Sequence, residues 1–263
     1  MDTTKTMEVT KTLKAVLFDL DDTLLDWSGV SLEWMAYEAH FLRRVFTFIA
    51  EEVHPLPSEQ NFVQEFYRRT REGWNKGRTS FIAPHLGTIL VQTAEALGVP
   101  PGRLDSRHCL EAYGWGMVPG SRIFPDVPES LSTLIASGVR VGIVTNAYQP
   151  MWLRDIEIAQ HGLLDYFPDC RISAADVGYL KPHPTIFQAA LDCLGVLPEE
   201  TVFIGDNPTA DIAGAQAAGL LAVLRITQPT PPMLSGLIVP DAAVNSLLEL
   251  PPILDDWFPG WRA

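Results

Sequence analysis

The run Ala15-Val16-Leu17-Phe18 is wholly apolar and is followed at once by Asp19, Asp21, Asp22 and the hydroxyl of Thr23. Four apolar residues without alternation describe a strand buried on both faces, as in a parallel sheet covered by helices. Open parallel sheets bind ligands beyond the carboxyl ends of their strands, so acids placed there mark a site before any other residue is read. Such a strand also requires parallel neighbours, reached through long crossover connections that are usually helices.

Those neighbours are legible from Pro119 onward. A helix over Pro128 to Ser137 with Gly138 as its stop leads to the strand Val139–Val144, which ends at Thr145-Asn146. A helix from about Pro150 to Gln160 closed by Gly162, a strand near Cys170 to Ser173, and a helix from Pro184 to Leu194 closed by Gly195 follow. Thr201 to Gly205 reads as a strand, Thr209 to Ala218 as a helix closed by Gly219, and Leu221 to Leu224 as a strand. The Pro-rich run Gln228 to Pro240 predicts a loop, and Ala242 to Val244 an edge strand. The fold class is therefore α/β, a Rossmann-like doubly wound parallel sheet.

Between Leu25 and Val118 only helical spacing is found. Leu32, Met35, Ala36, Ala39, Leu42, Val45, Phe46 and Ile49 form one apolar stripe, with Ser31 as its N-cap. Ser58 caps a second helix carrying Phe62, Val63 and Phe66. Pro84 opens a third with Leu86, Ile89, Leu90 and Leu97 inward, and Leu104 to Trp115 is a fourth. The chain thus divides into an α/β core, residues 1–26 and 119–263, and an inserted all-helical module over 27–118. The insertion leaves the core just after Asp19-Leu20-Asp21-Asp22-Thr23, with Pro119-Gly120 as the return.

A formal net charge of -13 over 263 residues opposes nucleic-acid binding, which needs a basic face. Met1 to Thr12 reads as a frayed tail without a signal-peptide segment, and no apolar run is long enough to span a bilayer. Cys109, Cys170 and Cys193 are widely spaced, which fits reduced thiols in a cytoplasmic protein. No residue pattern fixes an oligomeric state.

Asp19 and Asp21, Thr145, and Asp206 with Asp211 all stand at or just past strand ends and should converge. Two carboxylates about 4 Å apart repel by roughly 4 kcal/mol at an effective dielectric near 20, so the cluster needs a cation or must protonate. An all-oxygen donor set suits Mg²⁺ better than zinc. Lys181, held between Leu180 and Pro182, supplies fixed positive charge at the same edge, and the Thr145 hydroxyl can donate to phosphoryl oxygens. A carboxylate can attack phosphorus, and a second acid two residues on can protonate the leaving oxygen and then activate water.

With these residues in place, the sequence resembles the haloacid dehalogenase-like hydrolases, in particular the phosphatases with a helical cap. Asp19-Leu20-Asp21-Asp22-Thr23 matches the first family motif, Val144-Thr145-Asn146 the second, Lys181-Pro182 the third, and Gly205-Asp206-Asn207-Pro208-Thr209-Ala210-Asp211 the fourth. The resemblance implies a small-molecule phosphomonoester substrate of the nucleotide or sugar phosphate class and Mg²⁺ as cofactor. It implies Asp19 as nucleophile, Asp21 as general acid and base, and Thr145 and Lys181 as phosphoryl binders, with Asn146 and Thr23 beside them. Asp19, Asp206 and the Asp21 carbonyl would hold the metal, supported by Asp211 and Asn207. Asp22 stands where many members have Gly.

Other readings are weaker. A calcium loop would need Gly and Glu where Leu24 and Val30 stand. Gly114-Trp115-Gly116 has Pro119 in place of the third glycine of a dinucleotide loop, with no strand before it. His183 lacks a second ligand nearby and reads as a supporting or surface residue. The basic run Arg68, Arg69, Arg71, Lys76 and Arg78 reads as a solvated helix face, with substrate contact as the sharper alternative. Trp27, Trp34 and Tyr37 read mostly as core, Trp27 being near enough to line the cleft. A phosphomutase, a haloacid dehalogenase and a non-catalytic binding or regulatory protein remain as alternative functions on the same scaffold.

Overall fold

A computed structural model of the chain describes residues 12–227 and 237–262. Most of the tail Met1 to Thr12 and residues 228–236 of the expected loop lie outside the described residues. The elements in chain order begin with β1 (Ala15–Phe18), β2 (Leu25–Asp26), α1 (Trp34–Phe48), α2 (Glu59–Ser80), α3 (Leu86–Ala96) and α4 (Ser106–Tyr113). Then come β3 (Arg122–Ile123), α5 (Val127–Ala136), β4 (Arg140–Thr145), α6 (Met151–Gln160), β5 (Cys170–Ser173), α7 (Ala174–Val177) and α8 (Pro184–Leu194). The chain closes with β6 (Thr201–Gly205), α9 (Gly214–Ala217), β7 (Leu221–Arg225), β8 (Ala242–Val244) and α10 (Leu250–Trp257).

Six strands form one sheet in the order β5-β4-β1-β6-β7-β8, every pair parallel. The chain runs from β1 to β4 and β5 on one side, then returns to β6, β7 and β8 on the other. The order reverses at β1, and the crevice at that reversal is where such sheets bind ligands. Val16 and Phe18 pack with Val127, Leu131, Ile158 and Leu254, while Ala15 and Leu17 face Phe187, Leu191, Ile212 and Ala215. Two helical layers therefore bury β1 completely, as its unbroken apolar run predicts.

Helices α1 to α4 enclose a third cluster, including Leu42, Phe62, Phe66, Leu90, Leu110 and Tyr113. Leu153 of α6 joins it. The outgoing and returning strands of the chain meet as the antiparallel pair β2 and β3, too short to register as a pattern, with Arg122 ion-paired to Asp26 at 2.8 Å. Beyond them Gly29 and Gly120 cross closely: a Cβ on Gly29 would stand 2.6 Å from the Gly120 oxygen. Gly120 has φ 93°, so the crossing favours glycine on conformational as well as steric grounds.

Several expectations need correction. Glu33, not Ser31, caps α1, its carboxylate accepting from Ala36 N at 2.6 Å; an acid there also complements the positive end of the helix. Trp34 is 40% exposed and not core, because α1 begins at its position on the rim. Pro84 precedes α3, which His85 caps by accepting from Thr88 N. The fourth helix is shorter than expected and capped by Asp105. Residues 208–213 form a π-helical turn ahead of α9, in which Ile212 N reaches back five residues to Asn207 O, and the Asn207 side chain caps it by accepting from the amides of Thr209 and Ala210. Helix α10 was hidden by Pro251 and Pro252, which stand in its first turn where proline is tolerated.

Asp126 ties the carboxy-terminal segment to the sheet. Its carboxylate accepts from Arg225 Nη2 at 2.8 Å, Ser246 Oγ at 2.8 Å and Leu247 N at 2.7 Å. Burial pushes this carboxyl up, but Arg225, the Leu247 amide and Ser246 outweigh it and hold the pKa below its ordinary value. Asp126→Asn would leave buried Arg225 without its counter-charge and is expected to cost about 3 kcal/mol. The ionic contribution is present in full above the unfolded value of about 3.9 and is lost as pH falls through the lower folded value. Urea unfolding at about pH 6 and about pH 3 should therefore show the gap between wild type and variant shrinking in acid.

Candidate active site

The carboxyl ends of β1, β4 and β6 and the segment before α8 surround a hollow of about 260 Å³. Asp19, Asp21, Asp22, Thr145, Asn146, Lys181, Asp206, Asn207 and Asp211 line it, so most residues expected to converge do so. Thr23 does not: it is fully buried and absent from the lining.

Asp19 follows the last residue of β1, and its amide donates to Ile204 O of β6 at 2.9 Å. Lys181 Nζ donates to Asp19 Oδ1 at 2.5 Å and to Val144 O at 2.7 Å. It also stands 2.8 Å from Asp211 Oδ1, an electrostatic contact rather than an aligned hydrogen bond. Asn146 fixes the backbone of Lys181, accepting from its N at 2.7 Å and donating to its O at 3.1 Å. The Asn146 side-chain amide thus places the lysine while also lining the hollow. Asp211 Oδ2 accepts from Asn207 N, and a Cβ on Gly205 would collide with the Asp211 carboxylate. Gly205 is therefore required for Asp211 to lie against the end of β6.

Five carboxylates line this hollow against one ammonium. Burial pushes the Asp19 carboxyl well up, Lys181 pulls it down, and Asp211 and Asp21 raise it again. Burial, then Asp211 and Asp22, push Asp206 up to about 7. Lys181 is pushed down by burial but held above its ordinary value by Asp19 and Asp211. Oxygens of Asp19, Asp206 and Asp211 lie within 4.8 Å of one another. An oxygen-only donor set carrying this excess of negative charge fits a hard divalent cation such as Mg²⁺.

Asp22 has φ 58°, which explains why glycine suits this position; aspartate is among the residues that tolerate it. His183 caps α8, accepting from Thr185 N, and stacks on Tyr179. Arg68 and Arg69 pair with Glu65, and Arg68 also with Glu72, on α2. None of the basic run lines the acidic hollow; Arg69 and Lys76 line a separate one between α2 and α3. Unforeseen is Arg154 of α6, buried and bonded to Asp21 Oδ1 at 2.7 Å. Its signal was a charge between Met151 and Ile158 on the inward face of α6, a face that also buries Glu157.

Among the described residues no helix is long and apolar enough to cross a membrane. The profile of the haloacid dehalogenase-like hydrolases matches residues 13–219. Ribulose-1,5-bisphosphate 5-phosphatase of Halopiger xanaduensis is 32% identical over 213 residues, covering 80% of this chain and 83% of that one. The solved HAD phosphatase of Thermococcus onnurineus superposes with a TM-score of 0.61 at 27% identity, covering 92% of this chain and 98% of the other. The 2-haloacid dehalogenase of Pseudomonas syringae pv. Tomato DC3000 gives 0.60 at 26%, covering 94% and 100%. With its acids gathered at the reversal of a parallel sheet and a family profile spanning most of its length, the chain belongs to the haloacid dehalogenase-like hydrolases.

Proposed function

We propose that this hydrolase is a Mg²⁺-dependent phosphomonoesterase acting on a small sugar or nucleotide phosphate through an aspartyl-phosphate on Asp19. The observation that carries the reading is the buried Lys181 ammonium set against Asp19 at 2.5 Å and Asp211 at 2.8 Å, with Thr145 and Asp206 around the same hollow. That arrangement offers a nucleophile, an acid and positive charge for one tetrahedral anion. The named activity of the Halopiger relative on a sugar bisphosphate supports the substrate class.

Lys181 occupies Asp19 Oδ1, which leaves Oδ2 as the attacking atom. Oδ2 forms a bond to phosphorus as the bond to the leaving oxygen breaks, and a protonated Asp21 gives that oxygen its proton. Asp21, now a carboxylate, takes a proton from water as the water oxygen bonds to phosphorus. The phosphorus bond to Asp19 then breaks, and phosphate leaves. Lys181 and the Thr145 hydroxyl hold the phosphoryl oxygens and stabilise the charge developing on them. Asp19, Asp206 and the Asp21 carbonyl would hold Mg²⁺, with Asp211 in support. When bound, the ion supplies the charge that lets a dianion approach carboxylates. A carboxylate at Asp21 favours ester cleavage over dehalogenation, because a departing halide needs no proton.

Residues 27–118 serve as the cap that excludes bulk water, moving on the paired segments β2 and β3 and the Gly29–Gly120 crossing. The thiols of Cys109, Cys170 and Cys193 are all free, which supports a cytoplasmic location. Hydrolysis of p-nitrophenyl phosphate should disappear in EDTA and return with Mg²⁺. Asp206→Asn should raise the Mg²⁺ concentration required by roughly 10- to 100-fold or more. Full activity in EDTA would overturn the metal assignment.

A further inference from the structure

Asp21 faces the acidic hollow, yet its carboxylate is gripped from behind. Arg154 Nη2 donates to Asp21 Oδ1 at 2.7 Å, and Trp27 Nε1 donates to the same oxygen at 3.0 Å. Arg154 Nε lies 3.2 Å from Glu157 Oε2, which accepts from Trp115 Nε1 at 2.9 Å. The guanidinium stands 6.0 Å from the centre of the Trp115 ring. Arg154 and Glu157 are 4% and 0% exposed, whereas the Asp21 side chain is 37% exposed. A connected row Trp27, Asp21, Arg154, Glu157, Trp115 therefore ends on one side-chain oxygen at the edge of the site.

A buried arginine–glutamate pair adds little to stability, since packed apolar residues of similar volume do as well or better. The contact of Arg154 Nε with Glu157 is electrostatic rather than an aligned hydrogen bond, so the pair alone does not fix the guanidinium. The guanidinium makes its aligned hydrogen bond to Asp21 through Nη2, so the direction it fixes is that of Asp21. Both contacts to Asp21 use Oδ1, so Oδ2 is the oxygen left for proton transfer.

We propose that Arg154 is a positioning residue for Asp21, holding Oδ1 so that Oδ2 meets the leaving oxygen in the first half-reaction and water in the second. This rests on the assignment of Asp21 as the acid and base. Glu157 and Trp115 orient the guanidinium in turn. Trp27 lies on the outgoing segment and Trp115 on the returning one, so both connections to the helical block bear on the same carboxylate.

The test compares esters whose leaving groups differ in their need for a proton. p-Nitrophenolate departs without one, whereas the alkoxide of glycerol 3-phosphate does not. Steps up to departure of the alcohol determine kcat/KM, while kcat also includes hydrolysis of the aspartyl-phosphate. Arg154→Met should lower kcat/KM for glycerol 3-phosphate by roughly 10²-fold, the scale of a displaced catalytic group. For p-nitrophenyl phosphate kcat/KM should stay within about threefold while kcat falls and a burst of p-nitrophenolate appears, because only the second step then requires Asp21. Equal losses of kcat/KM on both esters would mark a general loosening of the site and overturn the proposal. If the single variant does not fold, Arg154→Met combined with Glu157→Gln leaves no lone buried charge and carries the same expectation. Asp21→Asn run alongside separates the two claims. Selectivity in Asp21→Asn without it in the Arg154 variant overturns the positioning role alone, and no selectivity in Asp21→Asn overturns the acid–base assignment beneath it.

Discussion

Asp19→Asn is expected to lower turnover of p-nitrophenyl phosphate by on the order of 10⁴-fold or more, the scale seen when a covalent nucleophile is removed. The amide keeps the shape of the carboxylate but cannot attack phosphorus, and Mg²⁺ does not restore the lost step. Folding should survive, because Lys181 keeps Asp211 and Val144 O as partners. The substitution also removes a carboxylate whose ionisation is made costly by burial and by the neighbouring Asp211 and Asp21. Thermal unfolding should thus occur at or above the wild-type temperature even though activity is gone. A variant as active as the wild type would sink the mechanism.

Lys181→Met should give the opposite pairing of effects, with both catalysis and stability lost. The ammonium is nearly sealed from solvent, with 2% of its side chain exposed, and is the only cation lining the hollow among the described residues. Removing it leaves Asp19 and Asp211 buried without compensation, a loss of about 3–5 kcal/mol for a broken buried pair. For a chain of this size that corresponds to a fall in Tm of roughly 6–20 °C. Divalent cation should recover part of the stability by supplying charge at the same place, but not the activity, since the phosphoryl oxygens lose a donor. Differential scanning calorimetry with and without Mg²⁺ checks the first expectation, and a p-nitrophenyl phosphate assay the second. An unchanged Tm would show that the carboxylates are better hydrated than their burial indicates.

The sequence made the core legible because its signals are local. β1 is a continuous apolar run, and each of α5, α6, α8 and α9 is followed by a glycine with positive φ within two residues of its end. The acids at the strand ends needed only the direction of parallel strands to be gathered into one site. Contacts made across the fold were less visible. Thr23 follows the acids directly and reads as a ligand residue, yet the turn after β1 folds it inward. Asn146 reads as a phosphate binder, but its amide serves the Lys181 backbone across 35 residues of chain. Arg154 lies 133 residues from Asp21, and no local spacing joins them. Trp34 follows the periodicity of α1 and still faces outward, because periodicity assigns a helical face without saying where its covering ends.

The zipper of β2 against β3 gives the molecule a modular joint. Asp26 and Arg122 are register partners, so the helical block leaves and rejoins the core at adjacent points, and in connectivity it is a long loop. A shortened chain in which a tight turn joins Asp26 to Arg122 should retain the six-stranded sheet and the acidic hollow, once Trp152 and Leu153, which pack against the block, are made polar. An insertion of another size or shape joined at the same two residues should therefore change what reaches the acids while leaving the six-stranded sheet as it is.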